Sequence, residues 1–189
     1  MSLALFSFVS SITPGPNNLM LMASGTNFGF RRTIPHMLGI SIGFGVMIFL
    51  VGLGIAALFK QFPAAYIALK VVSVVYMLWL AYRIATASAP NAKNLDARPM
   101  TFIQAALFQW VNPKAWSMTL TAVALYSPAH DLHSLLIITV IFVVVNLPSV
   151  SCWAWLGQNL RRWLSSPVRL RAFNFGMAFL LVCSMALML

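Results

Sequence analysis

Six runs of about 20 mostly apolar residues, each long enough to cross a bilayer as a helix, take up most of this chain. They fall at about 3–24, 34–58, 64–86, 101–125, 134–156 and 168–189, with short polar punctuation between them. The longest predicted loop is Ala87–Met100, with Pro90 and Pro99 near its ends, so no room is left for a soluble domain. The expected fold is all-α: one transmembrane domain over 1–189 with six spans. Charge supports this. Of 189 residues, 12 are Lys or Arg and 2 are Asp or Glu, while 61% are hydrophobic. A soluble globule of this size cannot cover its surface with so few ionic groups, so the partner expected around it is membrane lipid. The cations are scattered in ones and twos instead of lining one face, which argues against nucleic acid. Cys152 and Cys183 lie inside apolar runs, where thiols act as small packing groups, and no spacing of metal ligands occurs. Neither a metal nor a cofactor is expected.

No Lys or Arg precedes the first run, so it reads as a retained span and not as a cleaved signal. Cytoplasmic loops hold the excess of Lys and Arg. One side carries Arg31, Arg32, Arg83, Lys93, Arg98, Arg161, Arg162, Arg169 and Arg171, and the other carries Lys60 and Lys70. The first, third and fifth loops are therefore expected to be cytoplasmic, with both termini external.

The informative residues are those that a lipid-facing helix avoids. In the first span, Ser11-Ile12-Thr13-Pro14-Gly15-Pro16-Asn17-Asn18 places two prolines, a glycine and two amides near the centre. Each proline lacks an N–H, so the carbonyls of Ser10 and Ile12 lose their helical partners. Thr13 followed by Pro14 reads as an N-cap and first helical position, which restarts the helix in mid-span. The fourth span repeats the pattern with Asn112-Pro113-Lys114, where Asn112 caps, Pro113 starts the new segment and the Gln109 carbonyl is freed. Asn146 and Pro148 interrupt the fifth. Spans one and four are corresponding members of two three-span halves, which an odd number of crossings inserts with opposite orientation. The expectation is two inverted three-helix repeats, with spans 1, 4 and 5 broken or kinked by proline, and a binding site between the broken spans. A single proline more often only kinks a membrane helix, but coincident breaks with amides attached favour a site.

Lys114 strengthens that expectation. A cation at the centre of a span costs about 2.5–3.5 kcal/mol on insertion scales and normally faces a cavity or partner. Neither acid, Asp96 or Asp131, falls in a predicted span, so the partners expected for Lys114 are freed carbonyls, a bound anion or water. Gly39 and Gly43, spaced as Gly-xxx-Gly in the second span, are expected to pack against another helix, and such faces leave a homodimer open. His36, near the end of that span, is the second titratable group after Lys114 to be considered for carrying a proton.

These residues resemble a known family. Thr13-Pro14-Gly15-Pro16-Asn17-Asn18, Gly39-xxx-Gly43, Tyr76-Met77-Leu78-Trp79-Leu80-Ala81 and Asn112-Pro113-Lys114 together are similar to the LysE/RhtB family of bacterial amino-acid exporters, across essentially the whole chain. The Asn-Asn ending and Cys152-Trp153-Ala154 look most like its cysteine and O-acetylserine branch. The resemblance implies export of amino acids or small derivatives across the inner membrane, driven by proton exchange. Pro148 departs from the pattern that the resemblance leads one to expect.

The substrate would then meet Thr13, Pro14, Gly15, Pro16, Asn17, Asn18, Asn112, Pro113, Lys114 and Asn146. Its carboxylate is expected at Lys114 and the two restarted helix N-termini. Its ammonium is expected at the carbonyls freed at Ser10, Ile12 and Gln109. Alternating access would come from rocking one half against the other. Two rival classes are an integral-membrane enzyme and a channel or packing subunit; no nucleophile–base–orienter set appears within the spans to support the first.

Overall fold

The computed structural model describes residues 2–55, 61–87, 98–127, 131–164 and 166–186. Lys60, Lys93 and Asp96 lie outside them. Eight α-helices account for the described residues: α1 (Leu3–Ile12), α2 (Pro16–Phe28), α3 (Phe30–Leu50), α4 (Pro63–Ala85), α5 (Phe102–Val111), α6 (Pro113–Tyr126), α7 (Leu132–Leu160) and α8 (Pro167–Ala186). Four stretches are long and apolar enough to cross a membrane: Phe30–Ile55, Ile67–Ala85, Leu132–Leu160 and Pro167–Met185. The first and fourth predicted runs are each divided in two, at Thr13–Gly15 and at Asn112.

Two prolines do less than their position suggests. α7 runs unbroken through Pro148, and α3 starts four residues before the predicted span and carries Pro35 inside it. A proline removes one intrahelical bond, and packing on both sides can hold the helix across that gap. α2 and α3 are joined by Gly29 alone. Its φ of 84° is a left-handed conformation that glycine adopts without strain, and it turns the chain in one residue. The open N–H of Phe30 is capped by the Gln158 Oε1 at 2.6 Å, from the far end of α7. At the other end, Gly54 at φ 110° closes a widened turn over Val51–Ile55.

Helices pair between the halves. α1 and α2 pack along α7, α5 packs along α3, α3 packs on α7, and α4 packs on α8. Small residues make the two closest contacts. A Cβ on Gly25 would strike the Ala154 carbonyl oxygen, and one on Gly157 would strike the Met22 carbonyl oxygen, so α2 and α7 touch backbone to backbone. Likewise Gly39 and Gly43 lie against the Phe102 carbonyl and Ala106 on α5. Both glycines are thus used inside the chain and supply no face for a second copy. The buried residues form three clusters. One joins α2, α4, α5 and α8 around Met20, Met77, Phe108 and Leu181; one joins α3, α6 and α7 around Phe44, Met47, Ala122 and Phe142; the third fills the gap around Leu21, Ile40, Ala105 and Val150. Ile67, Val71, Val75, Val140, Val144 and Phe179 are exposed on the outer helix faces, as an apolar solvent requires.

The glycine contacts make a testable demand. Gly157→Val forces α7 off α2 and is expected to lower stability by about 1–3 kcal/mol, or several degrees in a detergent unfolding curve. Gly176→Val, where nothing lies within 4 Å of the added carbon, is expected to leave the midpoint unchanged.

Candidate functional site

The two breaks meet. At the first, the last turn of α1 and Thr13 leave four carbonyls without helical partners, and side chains take all four. Ser10 O accepts from the Thr13 hydroxyl at 3.0 Å, Ser11 O from Asn18 Nδ2 at 2.8 Å, and Ile12 O from the Trp153 indole at 3.0 Å. Thr13 O accepts from Asn18 Nδ2 at 2.8 Å and from the Lys114 ammonium at 2.7 Å. At the second break, Asn112 Oδ1 caps the backbone N–H of Lys114 at 3.1 Å, and the Trp116 indole donates to Trp110 O at 2.8 Å. Gln109 O accepts from the Asn112 N–H at 3.3 Å. Each carbonyl assigned from the sequence to a substrate ammonium, at Ser10, Ile12 and Gln109, therefore already has a donor within the protein.

Lys114 bridges the breaks. Its ammonium donates to the Thr13 carbonyl at 2.7 Å, to the Thr13 hydroxyl at 2.8 Å and to the Pro14 carbonyl at 3.3 Å. It therefore sits on the carbonyl end of α1, which is the negative end of that helix's dipole. Its stem lies over Gly15. A Cβ there would stand 2.6 Å from Lys114 Cδ and 3.2 Å from Nζ. Gly15 has an extended backbone, φ 179°, so space and not conformation calls for glycine.

Amides make the second bridge. Asn17 Nδ2 donates to Gln109 Oε1 at 2.8 Å, and Gln109 Nε2 donates back to Asn17 Oδ1 at 3.3 Å and to Ala105 O at 2.8 Å. Gln109 is fully buried. Asn146 on α7 adds a third connection, accepting from the Ser41 hydroxyl at 2.9 Å and donating to the Ser11 hydroxyl at 3.2 Å. A small cavity lies among these groups, with polar walls from Ser11, Asn17, Asn18, Gln109, Asn112, Lys114 and Asn146, and an apolar side from Phe44, Met118 and Val150. The N-terminus of α2 differs from that of α6. Asn112 caps α6, whereas Gly15 has no side chain with which to cap α2.

Of the residues singled out in the sequence, Gly15, Asn17, Asn18, Asn112, Lys114 and Asn146 line this cavity, while Thr13 and Pro14 hold Lys114. Pro16 and Pro113 are the first residues of α2 and α6. His36 is elsewhere, buried on α3, with neither ring nitrogen hydrogen-bonded. Gln109, Ser11, Ser41 and Trp153 belong to the network and were not anticipated as side chains. Gln109 carried a signal, an amide inside an apolar run one turn before a break; Trp153 carried none, because an indole in a span is as often an anchor.

The sequence pattern described as LysE type translocator matches residues 8–189. The chain is 30% identical to the cysteine/O-acetylserine efflux protein of Escherichia coli strain K12, over 94% of this chain and 90% of that one. It is 31% identical to the protein of the same name from Salmonella typhimurium, over 83% of this chain and 81% of that one. No solved structure matches.

The reciprocal amide pair is open to a double-mutant cycle. Asn17→Ala and Gln109→Ala each strand a partner, so the two single losses of stability should exceed the loss in the double variant by about 0.5–3 kcal/mol. Strict additivity in thermal unfolding would show that the pair contributes nothing.

Proposed function

We propose that this chain, which belongs to the LysE type translocator family, exports small amino acids or their derivatives from the cytoplasm by alternating access about the cavity between its two helix breaks. It is a transporter and not an enzyme. The names of its relatives point to cysteine and O-acetylserine as the first substrates to try; threonine and homoserine come next, from the family resemblance alone. The excess of Lys and Arg on the first, third and fifth loops orients the protein in the inner membrane with both termini external, as one transport domain.

One observation carries the reading: a cation, an uncapped helix N-terminus and five amides converge on one cavity at two helix breaks. The substrate carboxylate binds at the first turn of α2, where backbone N–H groups and the positive end of the dipole stabilise it. Lys114 lies alongside. All three of its protons are already donated, so the carboxylate takes the weakest of them, the one shared with Pro14 O at 3.3 Å. The substrate ammonium meets the side-chain oxygens of Asn17, Asn18, Asn112 and Asn146 at the cavity wall; those of Asn17, Asn112 and Asn146 already accept one bond each and offer a second lone pair.

The packing is consistent with two inverted repeats. Exchanging spans 1, 2 and 3 with spans 4, 5 and 6 turns the α1–α2 contact on α7 into the α5 contact on α3, and maps the α3–α7 and α4–α8 contacts onto themselves. The same packing changes the expected motion. Rocking one sequence half as a rigid body would tear both sets of glycine contacts, Gly25 and Gly157 between α2 and α7, and Gly39 and Gly43 against α5. Shear along the α3–α7 contact preserves them, and it passes through the Ser41–Asn146, Asn17–Gln109 and Lys114–Thr13 bonds, which then break and re-form in each cycle. Lys114 is the first candidate for coupling export to protons and His36 the second.

Proteoliposomes loaded with unlabelled O-acetylserine should take up labelled O-acetylserine by counterflow, which a channel or an enzyme does not support. Lys114→Met should abolish export driven by a pH difference; full export by this variant would remove Lys114 from the mechanism. Gly15→Ala is a finer probe. Its methyl group displaces only the flexible Lys114 stem, so the half-saturating concentration should rise about tenfold, equal to about 1.4 kcal/mol, with little change in the unfolding midpoint.

A further inference from the structure

A second and larger cavity lies among α2, α3, α4 and the stretch leading into α5, and shares no lining residue with the first. Along α2 it extends from Met20 to Phe28, about 12 Å of helix. His36 lines it. The imidazole is 1% exposed, and neither Nδ1 nor Nε2 has a hydrogen-bond partner. A neutral histidine carries one N–H donor and one acceptor nitrogen, and leaving either unmet in a buried place costs about 1–3 kcal/mol. Other polar groups nearby are satisfied: Ser24 bonds the Thr33 hydroxyl at 2.8 Å, and Asn27 bonds Asn174 Oδ1 at 3.1 Å.

Arg83 and Arg98 stand at the exposed end of the same cavity. Among the described residues no carboxylate pairs with either, and Asp131 is the only acid, capping α7. The Arg83 guanidinium lies over the Trp79 ring at 5.3 Å, and Trp79 stacks on Tyr76 at 5.4 Å, so an aromatic wall holds that cation at the opening. The open valences are thus two guanidinium groups at one end and an unsatisfied donor–acceptor pair at the other. They are complementary to a small molecule that carries a carboxylate together with an amine and an acceptor oxygen or sulfur.

We propose that this cavity is a second, independent binding site for such a small amphoteric carboxylate, with Arg83 and Arg98 taking the carboxylate and His36 meeting the polar groups behind it. It loads the carrier from the arginine-bearing face, a role that rests on the export reading; the binding itself does not. The carboxylate of a molecule entering there exchanges water for bidentate guanidinium contacts, while its amine donates to one nitrogen of His36 and its acceptor oxygen or sulfur takes the N–H of the other, both of which the protein alone leaves unpaired.

Trp79 makes the site observable. O-acetyl-L-serine is titrated into the full chain in lipid nanodiscs while tryptophan emission is followed. A saturable change is expected in the wild type and should disappear in Trp79→Phe. In the Arg83→Gln/Arg98→Gln variant the half-saturating concentration should rise at least tenfold; both positions are exposed, so folding is unaffected. His36→Leu should weaken binding without lowering the unfolding midpoint, because it removes two unmet polar atoms; a purely structural histidine would show the reverse. Gly15→Ala should leave the Trp79 signal unchanged. No Trp79-dependent signal, no response to loss of the arginines, or loss of the signal in Gly15→Ala would each overturn the proposal. Counterflow in the same preparations reports on export separately: its absence beside an intact Trp79 titration would fell the export reading and leave this site standing.

Discussion

A backbone carbonyl buried in lipid without a hydrogen-bond donor costs several kcal/mol, and this chain breaks two of its helices where no water is at hand to supply one. The rest of the architecture answers that constraint. Asn18 folds back onto Ser11 O and Thr13 O, Trp153 reaches across from α7 to Ile12 O, and Trp116 bonds Trp110 O. Each break has an indole that takes a stranded carbonyl. Because the donor for Ile12 comes from α7, the first break is completed only with α1 and α2 seated along that helix, and the close approach of Gly25 to the Ala154 backbone and of Gly157 to the Met22 backbone lets them sit there.

The same constraint decides what the central cation does. Without a carboxylate nearby, an ammonium is stabilised by carbonyl oxygens, and the end of α1 presents two of them together with a hydroxyl. Lys114 belongs to α6 yet terminates α1, so one side chain ties the two breaks into a single unit. The Asn17–Gln109 amide pair ties them again from the other side of the cavity. A second reciprocal amide pair, Asn27 with Asn174, joins α2 to α8 and hands one N–H on to Ala87 O. Paired amides suit this role, since each satisfies the other without introducing charge.

Much of this was legible in the sequence, for identifiable reasons. Apolar length anticipated an all-helical chain with four helices long enough to cross a membrane among its described residues, and proline chemistry located both breaks, because Pro14, Pro16 and Pro113 cannot continue a hydrogen-bond ladder. Pro35 and Pro148 show where that logic stops: the same residue type is absorbed when its neighbours pack the helix on both sides. What pairs with what was not legible. Trp153 and Ile12 lie 141 residues apart and Asn17 and Gln109 lie 92 apart, and nothing local to either position encodes the other. For Lys114 the sequence left freed carbonyls, a bound anion and water all open as partners. The structure places its ammonium on the carbonyls of Thr13 and Pro14, because a broken helix makes its own counter-charge.

The one-residue joint at Gly29 has a consequence for how the protein is made. It delivers α2 and α3 into the membrane as a tight hairpin early in synthesis, well before the segment that completes them exists. The acceptor for Phe30 N–H is 128 residues further along the chain, the acceptor for Thr26 is 131 further, and the partner of Ser11 is 135 further. Until the fifth span leaves the ribosome, the hairpin waits with open caps and an exposed glycine face. The insertion machinery must shelter it for the greater part of translation, and the first half of this chain is not a stopping point at which biogenesis can pause.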